Sequence, residues 1–204
     1  MGVKKMKYWY PIAILLAAAA LLAVSGCIAQ EKQSSSTELL GSIPQGKDLP
    51  EGFELLYIVN DEVNDTSKNI FQKNMTDEIE RFYGERNVGN LKVVVARYRQ
   101  LGFDFDGKIT IISSQDPGIA QAAVSNYISN FQKENPFLLP GNVSLIGEAR
   151  IGSHRATEIK DIIEIKGEDQ ITYSYLWSSG NMVVLVEGSP DREKSIAFAE
   201  AVKL

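Results

Sequence analysis

The stretch that decides the fold runs from Val143 to Glu187: VSLIGEARIGSHRATEIKDIIEIKGEDQITYSYLWSSGNMVVLVE. It holds four runs dense in β-branched and aromatic residues, Val143 to Ile151, His154 to Lys166, Gln170 to Ser178 and Met182 to Glu187. Gly152-Ser153, Gly167-Glu168-Asp169 and Ser179-Gly180 separate them. Connections this short join antiparallel neighbours, so the segment reads as a meander.

Upstream, Phe53 to Val59 (FELLYIV) lies between Pro50-Glu51-Gly52 and Asn60-Asp61 and reads as a strand, as do Leu91 to Arg99 and Lys108 to Ser114. Asn74 to Tyr83 carries Met75, Ile79, Phe82 and Tyr83 at helical spacing, with Gly84 to stop it. A clearer helix starts at Asp116-Pro117, a capping residue and a first-turn proline. Ala120, Ala123, Val124, Tyr127, Ile128 and Phe131 form its stripe before Asn135-Pro136 ends it. Ser189, Pro190 and Asp191 open a last helix bearing Ile196, Phe198, Ala199, Ala201 and Val202. Helices before and after grouped strands predict an α+β domain over residues 51–204: an antiparallel sheet of about six strands packed with two or three helices.

The head of the chain is a different object. Residues 1–26 hold Lys4, Lys5 and Lys7 and no acid; the whole chain carries −5, so the remainder carries −8. Ile12 to Val24 is an uncharged run of 13 residues ending at Ser25-Gly26, the layout of a secretory signal. A membrane span needs about 18 or more. Counting Tyr8, Trp9 and Tyr10 lengthens the run to 17, which leaves an uncleaved anchor as the alternative. Either way the lysines hold the N-terminus in the cytoplasm and place the body outside. Val24-Ser25-Gly26-Cys27 resembles the lipobox of prokaryotic membrane lipoproteins. That resemblance implies a diacylglyceryl group on Cys27, cleavage before it, and a cell-membrane location by lipid anchor. An exported chain with a single Cys has no disulfide partner, which independently asks for another use of that thiol. Two acyl chains suffice for stable anchoring where one is marginal.

Residues 27–50 include Gln33-Ser34-Ser35-Ser36-Thr37, Gly41, Pro44, Gly46 and Pro50 with no sustained period, and they read as a flexible tether. Composition excludes a disordered chain, a disulfide scaffold and a polytopic membrane protein. The acidic charge argues against nucleic acid and against broad contact with anionic lipid. The element order over 88–204 also resembles, in topology alone, the PsbP-like α/β/α sandwich domains. That likeness implies an accessory or binding role and assigns no functional residue.

Candidate chemistry is sparse. Gly41 to Lys47 (GSIPQGK) meets the first seven positions of a phosphate loop, but Asp48 stands where Ser or Thr must bind magnesium and Pro50 follows where a helix should start. Asp104-Phe105-Asp106-Gly107 resembles the beginning of a calcium loop with its glycine too early, so a solvated turn is the better reading. Asp61, Glu62 and Asp65 form a second acidic loop with the same problem. His154 is the only His, which excludes a two-His metal site, and it flanks a turn. Paired carboxylates cannot be located from spacing.

Tyr173, Tyr175 and Trp177 share one strand face. An open face would make them a platform for a sugar, an aromatic ligand or a partner protein, and a covering helix would make them core. The small, polar opposite face points to core, with that opposite face in solvent. Asn64, Asn74 and Asn142 sit in sequons and are candidate glycosylation sites. No cofactor or metal and no catalytic residue is assigned. The functional expectation is a lipid-anchored extracytoplasmic domain of binding or accessory type, with a protein partner in the cell envelope as one option. The alternatives are a small surface hydrolase using carboxylates and a single-domain solute-binding lipoprotein.

Overall fold

A computed structural model describes residues 36–60, 78–84, 91–102, 106–135 and 144–204, all within one compact unit, Lys32–Leu204. Cys27 and its lipobox, Asp61, Glu62, Asp65, Asp104, Phe105 and the sequon residues Asn64, Asn74 and Asn142 lie outside the described residues.

Seven strands form one antiparallel open sheet: β1 (Phe53–Asn60), β2 (Lys92–Gln100), β3 (Asp106–Ser113), β4 (Ile146–Ile151), β5 (His154–Ile165), β6 (Glu168–Ser179) and β7 (Met182–Glu187). Their spatial order is β1-β2-β3-β7-β6-β5-β4. The fold is α+β, with one strand more than the expected six because every strand-like run finds a place. β3 and β7 join the N-terminal meander to the C-terminal one, from Lys108 opposite Glu187 to Ser113 opposite Met182.

Helices cover both faces. One face buries Val94, Ala96, Tyr98, Ile109, Ile111, Tyr175, Trp177, Val184 and Val186 under α1 (Ser36–Ser42) and the last helix, which is α4 (Arg192–Glu200). The other buries Val93, Val95, Ile112, Leu176, Val183 and Leu185 under α2 (residues 78–83) and α3 (Pro117–Glu134). Coverage on both sides explains the unbroken burial of β3 from Gly107 to Ser113 and the apolar run of β7, since a strand with no wet face has no reason to alternate. The caps follow the sequence: Asp116 Oδ1 accepts from Gly118 N at 2.6 Å with Pro117 in the first turn, and Asp191 Oδ1 accepts from Lys194 N at 3.1 Å.

Four expectations need correction. Residues 36–50 are not tether: Leu39 is fully buried, Ile43 nearly so, and Leu40 and Leu49 pack against the same core. Tyr98 Oη donates to Pro44 O, Lys203 N donates to Ser42 O, and Lys203 pairs with Asp48 at 2.7 Å. The short apolar pattern Leu39, Leu40 and Ile43, spread among Ser, Gly and Pro, is enough to cover one end of a sheet. Second, the face opposite the aromatic stripe is not in solvent: α3 covers Leu176, and Thr172 is buried. Third, the β5–β6 turn is two residues, Lys166 (φ 55°) and Gly167 (φ 82°), both left-handed, so Glu168 and Asp169 continue the ladder opposite Ile165 and Glu164. Fourth, Asp106 and Gly107 belong to β3 rather than to a turn or a metal loop. A Cβ on Gly107 would stand 3.1 Å from the Phe198 ring and 3.4 Å from that of Phe53, two rings stacked 4.2 Å apart. That glycine makes room for an aromatic stack.

Candidate functional site

One row across the sheet carries the polar chemistry. On the face under α2 and α3, Tyr57, Arg97, Lys108, Glu187, Ser174, Ile159 and Ile146 follow one another as direct cross-strand partners. Neighbours in a ladder have Cβ atoms roughly 5 Å apart, so charges placed in one row must interact. Lys108 is the most deeply placed of them, with only 6% of its side chain exposed. Its Nζ lies 2.5 Å from Glu78 Oε1 of α2 and 2.6 Å from Glu187 Oε2 of β7. The first contact is a hydrogen bond; the second lacks hydrogen-bond alignment and is a plain ion contact.

α2 completes the cluster from above. Arg81 reaches Glu78 and Glu187, each at 3.2 Å, and its Nη2 donates to Tyr127 Oη of α3 at 2.5 Å, with the guanidinium 5.1 Å from that ring centre. Thr110 Oγ1 donates to Glu78 Oε2 at 3.3 Å. Burial pushes the Lys108 ammonium down to about 8; the Arg81 charge adds to this and the Glu78 carboxylate opposes it. Burial raises the Glu78 carboxyl, but Lys108, Arg81 and Arg97 outweigh it and hold the group below its ordinary value. Tyr127 is raised, chiefly by burial. Both partners of the Lys108–Glu78 pair move down, Lys108 chiefly through burial and Glu78 because the neighbouring cations outweigh its burial.

Beside the cluster, between α2 and α3, lies a groove of about 480 Å³. Glu187, Ser174 and Ile159 form its floor. Arg81 and Glu80 stand on the α2 side, Tyr127, Asn130, Phe131 and Glu134 on the α3 side, and Asp161 of β5 at the rim. A ligand there would meet one guanidinium, several carboxylates, amide and hydroxyl groups and two aromatic rings, Tyr127 and Phe131. Among the described residues no group of three or more His, Cys, Asp or Glu is arranged to hold a metal, and no helix is long and apolar enough to cross a membrane.

The sequence-predicted residues lie elsewhere. Tyr175 and Trp177 are buried under α4 with Phe198 and Ala199, and Tyr173 packs at the margin, so they form core and not an open platform. His154 opens β5 half-buried, its ring 6.1 Å from that of Trp177. The stretch 41–47 is the end of a helix followed by a 3₁₀ turn, Gly46–Asp48, so the described residues that lead into it are helical and not the strand a phosphate loop follows. Glu78, Arg81, Lys108 and Glu187 were not singled out by sequence. The available signal was a lysine and a glutamate at the ends of the apolar-rich runs Ile109 to Ile112 and Met182 to Val186. No family model matches the chain, and neither a curated protein nor a solved structure matches it.

Proposed function

We propose that this chain is an extracytoplasmic domain held to the cell membrane by lipid on Cys27, and that it acts by binding a small polar solute in the groove between α2 and α3. The observation that carries the binding role is the ion-paired cluster behind that groove. Lys108 and Glu78 are tied to each other, and Arg81 is fixed by three partners, so the wall is rigid and presents its charge without reorganisation. Arg81 offers donors to an anionic or hydroxyl group, while Glu80, Glu134 and Asp161 accept from ammonium or hydroxyl groups. Zwitterions and sugars carry both complements.

A carboxylate hydrolase is less well supported, because its general acid needs a raised pKa and the best-placed buried carboxyl, Glu78, is held low. The test is a thermal-shift panel on the full chain in detergent with glutamine, glucose and spermidine as probes. Stabilisation of about 2 °C or more by one class at about 10 mM, lost in Arg81→Ala, supports the reading. No shift from any probe refutes it. For the anchor, the mature protein carries diacylglyceryl mass on Cys27, and Cys27→Ser lacks it.

A further inference from the structure

The sheet has two edges, and they are built differently. β1 is broken by a bulge between Leu55 and Tyr57, a common device against edge-to-edge pairing. β4 pairs with β5 residue for residue from Ile146 to Ile151, with neither bulge nor proline, and no strand among the described residues pairs with its outer side. Its backbone direction is fixed at both ends. Lys160 N donates to Leu145 O, and the hairpin closes on Ile151 opposite His154. Odd residues therefore bond inward to β5, and Ile146, Glu148 and Arg150 turn their N–H and C=O groups outward.

Edges are ordinarily guarded by charged side chains, proline or bulges. Here the two exposed side chains, Glu148 and Arg150, are opposite in sign and share one face.

We infer that β4 is the interface of a symmetric dimer, in which a second copy of this chain continues the sheet antiparallel across a twofold axis at Ala149. That register sets Glu148 of each copy opposite Arg150 of the other, twice, and makes these the hydrogen-bonded pairs, as their outward backbone groups require. The neighbouring registers with the same backbone fit place Glu148 on Glu148 or Arg150 on Arg150, and like charges directly opposite are unfavourable. Charge and backbone parity thus select one alignment of a strand with its own copy. The present contacts leave room for it. Glu148 bonds Arg155 at 2.5 Å with both side chains largely exposed, and among the described residues Arg150 bonds through Nε to Gly152 O, a guanidinium that has further donors.

The test is cysteine cross-linking in the full chain in its own membrane, read on a non-reducing gel. Ala149 faces itself across the axis in a non-hydrogen-bonded pair, with Cα atoms about 4.5 Å apart, within disulfide reach. Ala149→Cys should give a dimer band above the background of the wild type, whose one thiol is Cys27. Gly147→Cys, roughly 13 Å from its own copy in this register, should not. Adding Glu148→Arg, or Arg150→Glu, should weaken the Ala149→Cys dimer about tenfold, and combining both reversals should restore it. Sedimentation of the chain without added cysteine should show two copies for the wild type and one for E148R. A wild type that sediments as a monomer, equal cross-linking at Gly147→Cys, or a dimer indifferent to the reversals would overturn the inference.

Discussion

The ionisation of Lys108 gives the sharpest test of the buried cluster. Its ammonium is held at about 8 in the folded chain against 10.5 when free, chiefly by burial and then by Arg81. Between these values the unfolded state carries more protons than the folded one, so stability rises with pH across that window. The size follows from the same two numbers: a shift of this magnitude, at about 1.4 kcal/mol per pH unit, amounts to about 3 kcal/mol. With 6% of the side chain exposed, solvent screening takes little from it. The window closes from above because burial also raises Tyr83, to about 12, and Tyr98 and Tyr175 in the same direction. Their unfolded phenols ionise first, and stability falls beyond about pH 10. The assay is urea unfolding of residues 32–204 at intervals from pH 7 to 10, followed by emission of Trp177, the only Trp in that span. Lys108→Met serves as reference. The wild type should gain about 2 to 3 kcal/mol relative to this variant between pH 7 and 10. Parallel curves, or a wild type that loses stability from pH 8 onward relative to the variant, would refute the account of the cluster.

Further outcomes test the core. Trp177 should emit in the blue, and Trp177→Ala should cost about 3 to 5 kcal/mol by denaturant titration, because the indole lies fully under α4. Removing residues 1–31 should leave the cooperative transition in place. Leu39→Ala should lower stability by about 2 to 5 kcal/mol, and removing 1–50 should cost more, since α1 is part of the core. Gly188→Ala should cost about 3 kcal/mol or more in the same titration, because the new Cβ would stand 2.5 Å from Ser195 Oγ and 2.7 Å from the Tyr173 carbonyl oxygen.

Most of the sheet was legible because strand runs and turns are local signals. Gly152-Ser153 fixes one hairpin wherever the rest of the chain goes, Gly180 fixes another in a Gly180-Asn181 turn one residue later than expected because Ser179 still pairs with Met182, and Asp116-Pro117 starts a helix by itself. What sequence could not supply was which surfaces meet. The pairing of β3 with β7 joins residues about 70 to 80 positions apart, and it alone decides that the central strands are buried on both faces. Without that pairing, Ser174 and Thr172 read as a wet face. The helical part of the 27–50 segment was missed for a related reason. Its apolar residues are too few to form a helix alone, and they become one only against Tyr98 and the sheet end.

The site was illegible for the same cause, and its construction limits what can bind there. Lys108 and Glu187 look like strand-end solubilising charges until the ladder sets them side by side and α2 closes over them. Burying such charges is costly, and the arrangement persists only while each is paired. Among the described residues, α2 is held in position by buried Phe82 and Tyr83 and by the bonds Glu78 and Arg81 send into the cluster. Arg81 is therefore both a wall of the groove and a strut of the fold. A strong anion that drew it away from Glu187 and Tyr127 would leave Glu187 with only its unaligned Lys108 contact and loosen α2 as well. A ligand that accepts one hydrogen bond from Arg81 where it already stands, and donates its own to Glu134 or Asp161, disturbs neither. Neutral polyols and zwitterions fit the groove on that ground, and multiply charged anions do not.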